Sequence, residues 1–272
     1  MSDKNEIKNI KPNGEINKIY VAKQGLIVLK NQDEYNRYIF EGLKNGIDNE
    51  EVLVGVSVRP NKNLERIADG MGFTLNESLL EGNSSFNKMK INMSIRQEYY
   101  TKEIYNKREY AENMKNVEVL IKNSGANNIR DNRQKALRFA QYLKVKYPYN
   151  NNVLDHIRAR SPYSITKYNT GVCEGFTYTY NQGMLLMGIP AYQVEGTDIN
   201  GKGHMESMVY CDGRWEDFNV SGYTNWYDLN HNDLSQVSES DIEQSLVYIE
   251  NDPYSEGLVD RINKDLALLY RI

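Results

Sequence analysis

The chain has 272 residues, 40% of them hydrophobic and 26% charged, and a net charge of −4 at pH 7. That length holds one large domain or two small ones with a proper core, and the mixture is that of an ordinary soluble globular protein. The slight acidic excess excludes a broadly basic nucleic-acid binder, two cysteines are too few for a disulfide framework, and no apolar run reaches the roughly 18 residues of a membrane span.

Met1-Ser2-Asp3-Lys4-Asn5-Glu6 lacks the apolar region of a secretory signal. A cytoplasmic protein is expected if this N-terminus is native, and a secreted or cell-surface one if a signal has been trimmed. Residues 1 to about 14 read as a polar lead-in ending in Pro12-Asn13-Gly14. Ile19-Tyr20-Val21-Ala22 and Leu26-Ile27-Val28-Leu29 predict a short hairpin, and Asp33 an N-cap for a helix presenting Tyr35, Tyr38, Ile39 and Leu43 until Gly46. Val52, Val54, Val56 and Val58 alternate as a strand, Leu64 to Ala68 as a short helix, and Met89, Ile91, Met93 and Ile95 as a second strand. Residues 1–100 are therefore expected to form a small α/β unit without evident chemistry, and residues 101–272 a second domain.

Residues 101–123 carry Ile104, Ala111, Met114, Val117 and Ile121 on one helical face, closed by Ser124-Gly125. Asp131 caps a helix through Lys146 with Ala136, Leu137, Ala140 and Leu143 inward, stopped by Tyr147-Pro148. A third helix runs from Cys173, with Phe176, Tyr180, Met184 and Met187 sharing a face, to Gly188 and Pro190. His204 to Cys211 reads as a strand, Asp212-Gly213 as a two-residue hairpin turn, and Arg214 to Val220 as the partner strand. Asp241 to Ile249 and Ser255 to Tyr270 read as packing helices.

The chemistry-bearing residues lie between Thr170 and Ser221. A cysteine at the first turn of a helix faces unpaired N–H groups and the positive end of the macrodipole, which lowers a thiol pKa and supplies oxyanion donors. Gly171 and Gly175 are expected to leave room for a substrate backbone; a small buried hydrophobe is the other reading of Cys173. Pairing Cys211 with Arg214 sets His204 opposite Ser221, with Asn219 one same-face step away. Asn219 is thus the expected partner of His204, and Asp217, two residues back on the same face, the alternative. His156 and His231 read as structural, and neither CxxC nor HxxxH spacing points to a metal.

The segments Gly171-Val172-Cys173-Glu174-Gly175-Phe176, Met187 to Gly196, and Gly203-His204 followed by Asp212 to Asn219 resemble the transglutaminase-like superfamily, within the papain-like cysteine-enzyme fold. The resemblance covers roughly residues 130–221; the front unit resembles N-terminal regions of bacterial members only loosely. It implies an α+β core in which a catalytic helix packs on an antiparallel sheet, and a Cys173-His204-Asn219 triad without cofactor or metal. Two positions depart from the family pattern: Glu206 stands where an aromatic is usual, and Asn219 where aspartate is usual. The implied activity is thiol-dependent acyl transfer on peptide or protein amides, foremost cysteine peptidase or amidase hydrolysis. The alternatives are a protein-glutamine transglutaminase or deamidase, and a catalytically silent protein-binding module. Tyr163 is a candidate oxyanion donor, and Glu174 and Glu206 are candidate substrate contacts beside the cleft.

Overall fold

A computed structural model describes residues 7–8, 19–21, 26–96, 104–150, 152, 156–197, 203–221 and 269–270. The expected C-terminal helices and His231 lie outside the described residues, except Leu269 and Tyr270. The architecture is α+β, with one sheet of six strands and one of three.

The larger sheet comprises β1 (Ile7–Lys8), β2 (Ile19–Val21), β3 (Ile27–Leu29), β4 (Glu50–Gly55), β5 (Phe73–Gly82) and β6 (Phe86–Ile95), ordered β1-β2-β3-β4-β6-β5. The expected hairpin is present, with Tyr20 opposite Val28. The lead-in reading fails at Ile7 and Lys8, which pair with Tyr20 and Ile19. β3 and β4 run parallel, joined by helix α1 (Gln32–Asn45). Its cap is Asn31, two residues before the expected Asp33, because the Asn31 side chain accepts from the Glu34 N–H at 2.9 Å. Asp33 and Glu34 then sit in the first turn, where negative charge suits the macrodipole.

β4 ends at Gly55, short of the expected strand through Val58. The Val58 N–H turns back to the Gly55 carbonyl at 2.9 Å, which leaves Val56 exposed and Val58 buried. Helix α2 (Lys62–Gly70) follows, and β6 has the predicted alternation with Met89, Ile91, Met93 and Ile95 inward. β5 had no sequence expectation. Only Phe73 and Leu75 of its ten residues are buried, so it lacks an alternating signal and depends on its ladder with β6.

Helix α3 (Lys107–Ser124) starts at the Asn106 cap, so Ile104 lies before the helix and is 85% exposed rather than inward. Helix α4 (Asn132–Lys146) has the predicted Asp131 cap, which accepts from the Gln134 N–H at 2.8 Å. Short helices α5 (His156–Ala159) and α6 (Ser164–Tyr168) lead to α7 (Cys173–Met187), which Gly188 ends in a left-handed conformation at φ 71°. The smaller sheet is antiparallel, β7 (Ala191–Thr197), β8 (Gly203–Cys211) and β9 (Arg214–Phe218), and α7 packs on it.

Helix α7 is the hub. Every residue from Gly175 to Leu185 is buried, because the helix is covered by α4 and β8 on one side and by the front sheet's elements on the other. Asn181 Nδ2 donates to the Gly70 carbonyl at 2.8 Å, and Gln182 Nε2 to those of Met71 and Pro162 at 3.0 and 3.1 Å. Gln182 Oε1 accepts from Asn113 of α3 at 2.9 Å, so buried amides on α7 satisfy backbone ends from both halves of the chain. Tyr110, Met114, Tyr163, Leu185 and Leu269 share one core with the larger sheet.

Candidate active site

The chain before α7 is laid in place by backbone pairing. The Asn150 N–H donates to the Gly171 carbonyl at 2.8 Å, the Val172 N–H donates to the Ala159 carbonyl at 3.0 Å, and Tyr149 bridges Gly171. Val172 is extended and has no side-chain cap, so the helix's first amides keep their donor capacity beside Cys173. The expected role of the glycines is corrected. A Cβ on Gly175 would overlap Ser164 Oγ and the Ala159 carbonyl, and one on Gly171 would crowd Phe176 and Ile165. These glycines admit neighbouring protein backbone, with no role for substrate approach needed to explain them.

The β8–β9 hairpin carries the other two groups in the predicted register, Cys211 opposite Arg214 and Ser207 opposite Phe218. Asp212 and Gly213 both have positive φ, 51° and 86°, as the tight two-residue turn requires. β8 is docked to α7 by Thr177 Oγ1, which donates to the Met205 carbonyl at 3.2 Å. His204 Nε2 lies 3.3 Å from Asn219 Oδ1, and Ser221 Oγ donates to that same amide oxygen at 3.2 Å. Asp217 stands opposite Met208, four residues along β8 from His204 and so about 13 Å away along the strand. Its charge falls on Tyr192, whose phenol is pushed up to about 12, by burial first.

The thiol's surroundings combine α7, β8 and the segment before α5. Cys173 Sγ donates to Glu174 Oε2 at 3.1 Å, and Arg160 holds Glu174 Oε1 at 3.2 Å. The Met205 backbone N–H and the Tyr149 hydroxyl donate to the sulfur. The amide on the sulfur is therefore the one that links His204 to Met205, so histidine and cysteine belong to adjoining backbone. The resting thiol departs from the expectation of a lowered pKa. Burial, then the Glu174 carboxylate, push it up to about 12. The magnitudes account for the direction: a helix terminus contributes about 1 kcal/mol, whereas a carboxylate at this distance opposes a thiolate by about 5 kcal/mol at an effective dielectric near 20.

Glu206, two residues beyond His204 on the same strand face, is completely buried, with Oε1 3.5 Å from His204 Nε2. Tyr163 sits elsewhere, 1% exposed and packed on Phe73 in the core of the larger sheet. Tyr149, which carries a hydroxyl to the sulfur, escaped the sequence reading, as did Arg160. Each lies more than ten residues before Cys173, and only the backbone pairing around Gly171 brings them near. Cys173 and Cys211 are both free, and Cys211 is buried on the α7 side of the sheet with its thiol pushed up to about 12, chiefly by burial. Among the described residues no group of three His, Cys, Asp or Glu side chains is placed to hold a metal ion. No helix among them is long and apolar enough to cross a membrane.

A buried helix headed by cysteine is thus docked on an antiparallel hairpin that bears a histidine, with an asparagine just beyond its second strand. Residues 121–220 match the family described as the Transglutaminase-like superfamily. No curated protein matches the chain. A crystal structure described as that of a TGase is similar at 17% identity and a TM-score of 0.42, over 79% of this chain and 68% of that one. A structure described as a putative cysteine protease from Cytophaga hutchinsonii is similar at 13% identity and a TM-score of 0.32, over 65% of each chain, just under two thirds of that protein's length.

Proposed function

We propose that the protein performs thiol-dependent acyl transfer on peptide or protein amides through Cys173, His204 and Asn219, with hydrolysis as its principal outcome. The observations that support this reading are that the Met205 backbone, next to His204, lies at Cys173 Sγ, and that His204 Nε2 meets Asn219 Oδ1 at 3.3 Å. Because Nε2 is held by the amide oxygen, Nδ1 is the nitrogen left to work on the thiol. His204 takes the Cys173 proton as the sulfur attacks the amide carbon, then gives it to the leaving amine. The Cys173 backbone N–H and the Tyr149 hydroxyl, already directed at the sulfur's surroundings, receive the oxyanion. Water then attacks the thioester carbon as His204 takes its proton, the C–S bond breaks with that proton returned to Cys173 Sγ, and the acid product leaves. A primary amine in place of water gives transamidation with the same residues.

A second reading has an observation in its favour. A resting thiol buried and pushed up to about 12 also suits a superfamily domain kept for protein recognition. Incubation of the wild type and Cys173→Ala with a glutamine-peptide library, with and without a primary amine, separates the readings by mass spectrometry. Cleavage or deamidation by the wild type alone is the expected result, amine incorporation assigns transglutaminase activity, and identical inert spectra leave the recognition domain.

A further inference from the structure

We infer that Glu206 is a positioning residue for His204, supplying from the histidine's own strand the negative charge that Asn219 lacks. The inference rests on the reading of His204 as the site's base. One imidazole nitrogen faces two acceptors: Nε2 lies 3.3 Å from the Asn219 amide oxygen and 3.5 Å from Glu206 Oε1. Alternation along β8 puts His204 and Glu206 on the same face, so their proximity follows from the strand itself. Both side chains are sealed from solvent, 3% and 1% exposed.

The two acceptors do different work. An amide oxygen orients an imidazole and fixes its tautomer, but offers no net charge to an imidazolium. A carboxylate in the same enclosed volume stabilises the cation formed when the ring takes the thiol proton, and in low dielectric that effect is large. Conversely, a buried carboxylate needs a cationic or donor partner, and the ring within 3.5 Å is such a partner. The titratable groups at the neighbouring head of α7 are Cys173 and Glu174, with Arg160 holding Glu174 and Tyr149 reaching the sulfur.

The test uses the full chain carrying isotope-labelled histidine and glutamate, with the His204 resonance assigned by its loss in His204→Gln. The imidazole is titrated in the wild type, in Glu206→Gln and in Glu206→Gln/Asn219→Asp. The expected result is a midpoint lower by about one unit or more in Glu206→Gln, restored when Asn219→Asp returns a carboxylate to the ring. Peptide turnover should show the same pattern, with kcat down about tenfold to a hundredfold and regained in the double variant. A Glu206→Gln midpoint equal to that of the wild type, or a double variant no different from the single one, overturns the inference. If Glu206→Gln does not fold, the wild type decides. A Glu206 carboxyl resonance that is ionised at neutral pH and moves as His204 titrates supports the inference; one that is protonated and ignores His204 overturns it. Titration needs no substrate, so a shifted midpoint without turnover removes only the acyl-transfer reading, and turnover with an unshifted midpoint removes only this one.

Discussion

At Cys173 two opposing influences meet, and their relative sizes lead to a prediction. Burial first, and the Glu174 carboxylate second, push the thiol up to about 12, against the Met205 N–H and the Tyr149 hydroxyl, which favour the thiolate. Iodoacetamide reacts with the thiolate, so alkylation of Cys173 should be slow at pH 7 and rise steeply toward pH 11. Glu174→Gln removes the repelling charge, which moves the curve to lower pH and raises the rate at pH 8 by about tenfold. An unchanged rate in that variant would mean that burial alone governs the sulfur. On the proposed mechanism, Cys173→Ala and His204→Ala each abolish turnover with the circular dichroism of the folded chain intact. Asn219→Ala should cost about tenfold or more in kcat, and Asp217→Ala much less, since Asp217 stands opposite Met208, about 13 Å along β8 from His204. A larger loss for Asp217→Ala would contradict the assigned partner.

Elements with a local signal were legible, and those made by distant contacts were not. The β8–β9 register followed from Asp212-Gly213, because few residues tolerate positive φ at both central positions of a tight turn, and that register carried Asn219 to His204. β5 was illegible because it is an edge strand with an exposed outer half, in which Leu79 and Leu80 also face solvent. The function of Gly175 was misread because the atoms it makes room for, Ser164 Oγ and the Ala159 carbonyl, belong to other elements. The same holds for Gln182, a mid-helix amide with no sequence signature. Its side chain joins Met71, Pro162 and Asn113, so Gln182→Leu removes three buried hydrogen bonds at a cost of roughly 2–4 kcal/mol. The urea midpoint of that variant should fall while the slope of the transition stays constant. The division of the chain at residue 100 is a proposal that the same experiment tests. Two separate transitions in the wild type would support it, and a single one, lowered as a whole by Gln182→Leu, would replace it with one folding unit.

For the whole molecule, buried acids set how stability depends on pH, and the two ends of the range have different sources. On the acid side, burial would raise the Glu216 pKa, but donation from Arg214 and Arg133 outweighs it and holds the carboxyl below its ordinary value. The Arg133 bond, at 2.7 Å, ties α4 to β9, and its stabilisation is present above pH ~4.5 and lost as the pH falls through the lowered pKa. On the alkaline side, burial pushes Cys173, Cys211, Tyr147 and Tyr192 up to about 12, and Tyr35, Tyr38, Tyr105, Tyr110 and Tyr270 higher still. In the unfolded chain thiols ionise near ~8.5 and phenols near ~10. The unfolded state therefore loses protons first, and the stability held in these neutral groups is complete below pH ~8.5 and declines as the pH rises toward 12. Each group contributes on the order of one kcal/mol per pH unit across its own interval. Urea midpoints should accordingly hold level from pH 6 to 8, begin to fall near pH 9 as the thiols enter, and fall faster above pH 10 as the phenols join. Between pH 9 and 10 the thiols dominate, so Cys211→Ala should flatten that part of the curve most, while the steeper part above it loses only the same single increment of slope and stays steep because of the phenols. A decline of equal slope in Cys211→Ala between pH 9 and 10 would show that this thiol ionises as readily in the folded chain as in the unfolded one.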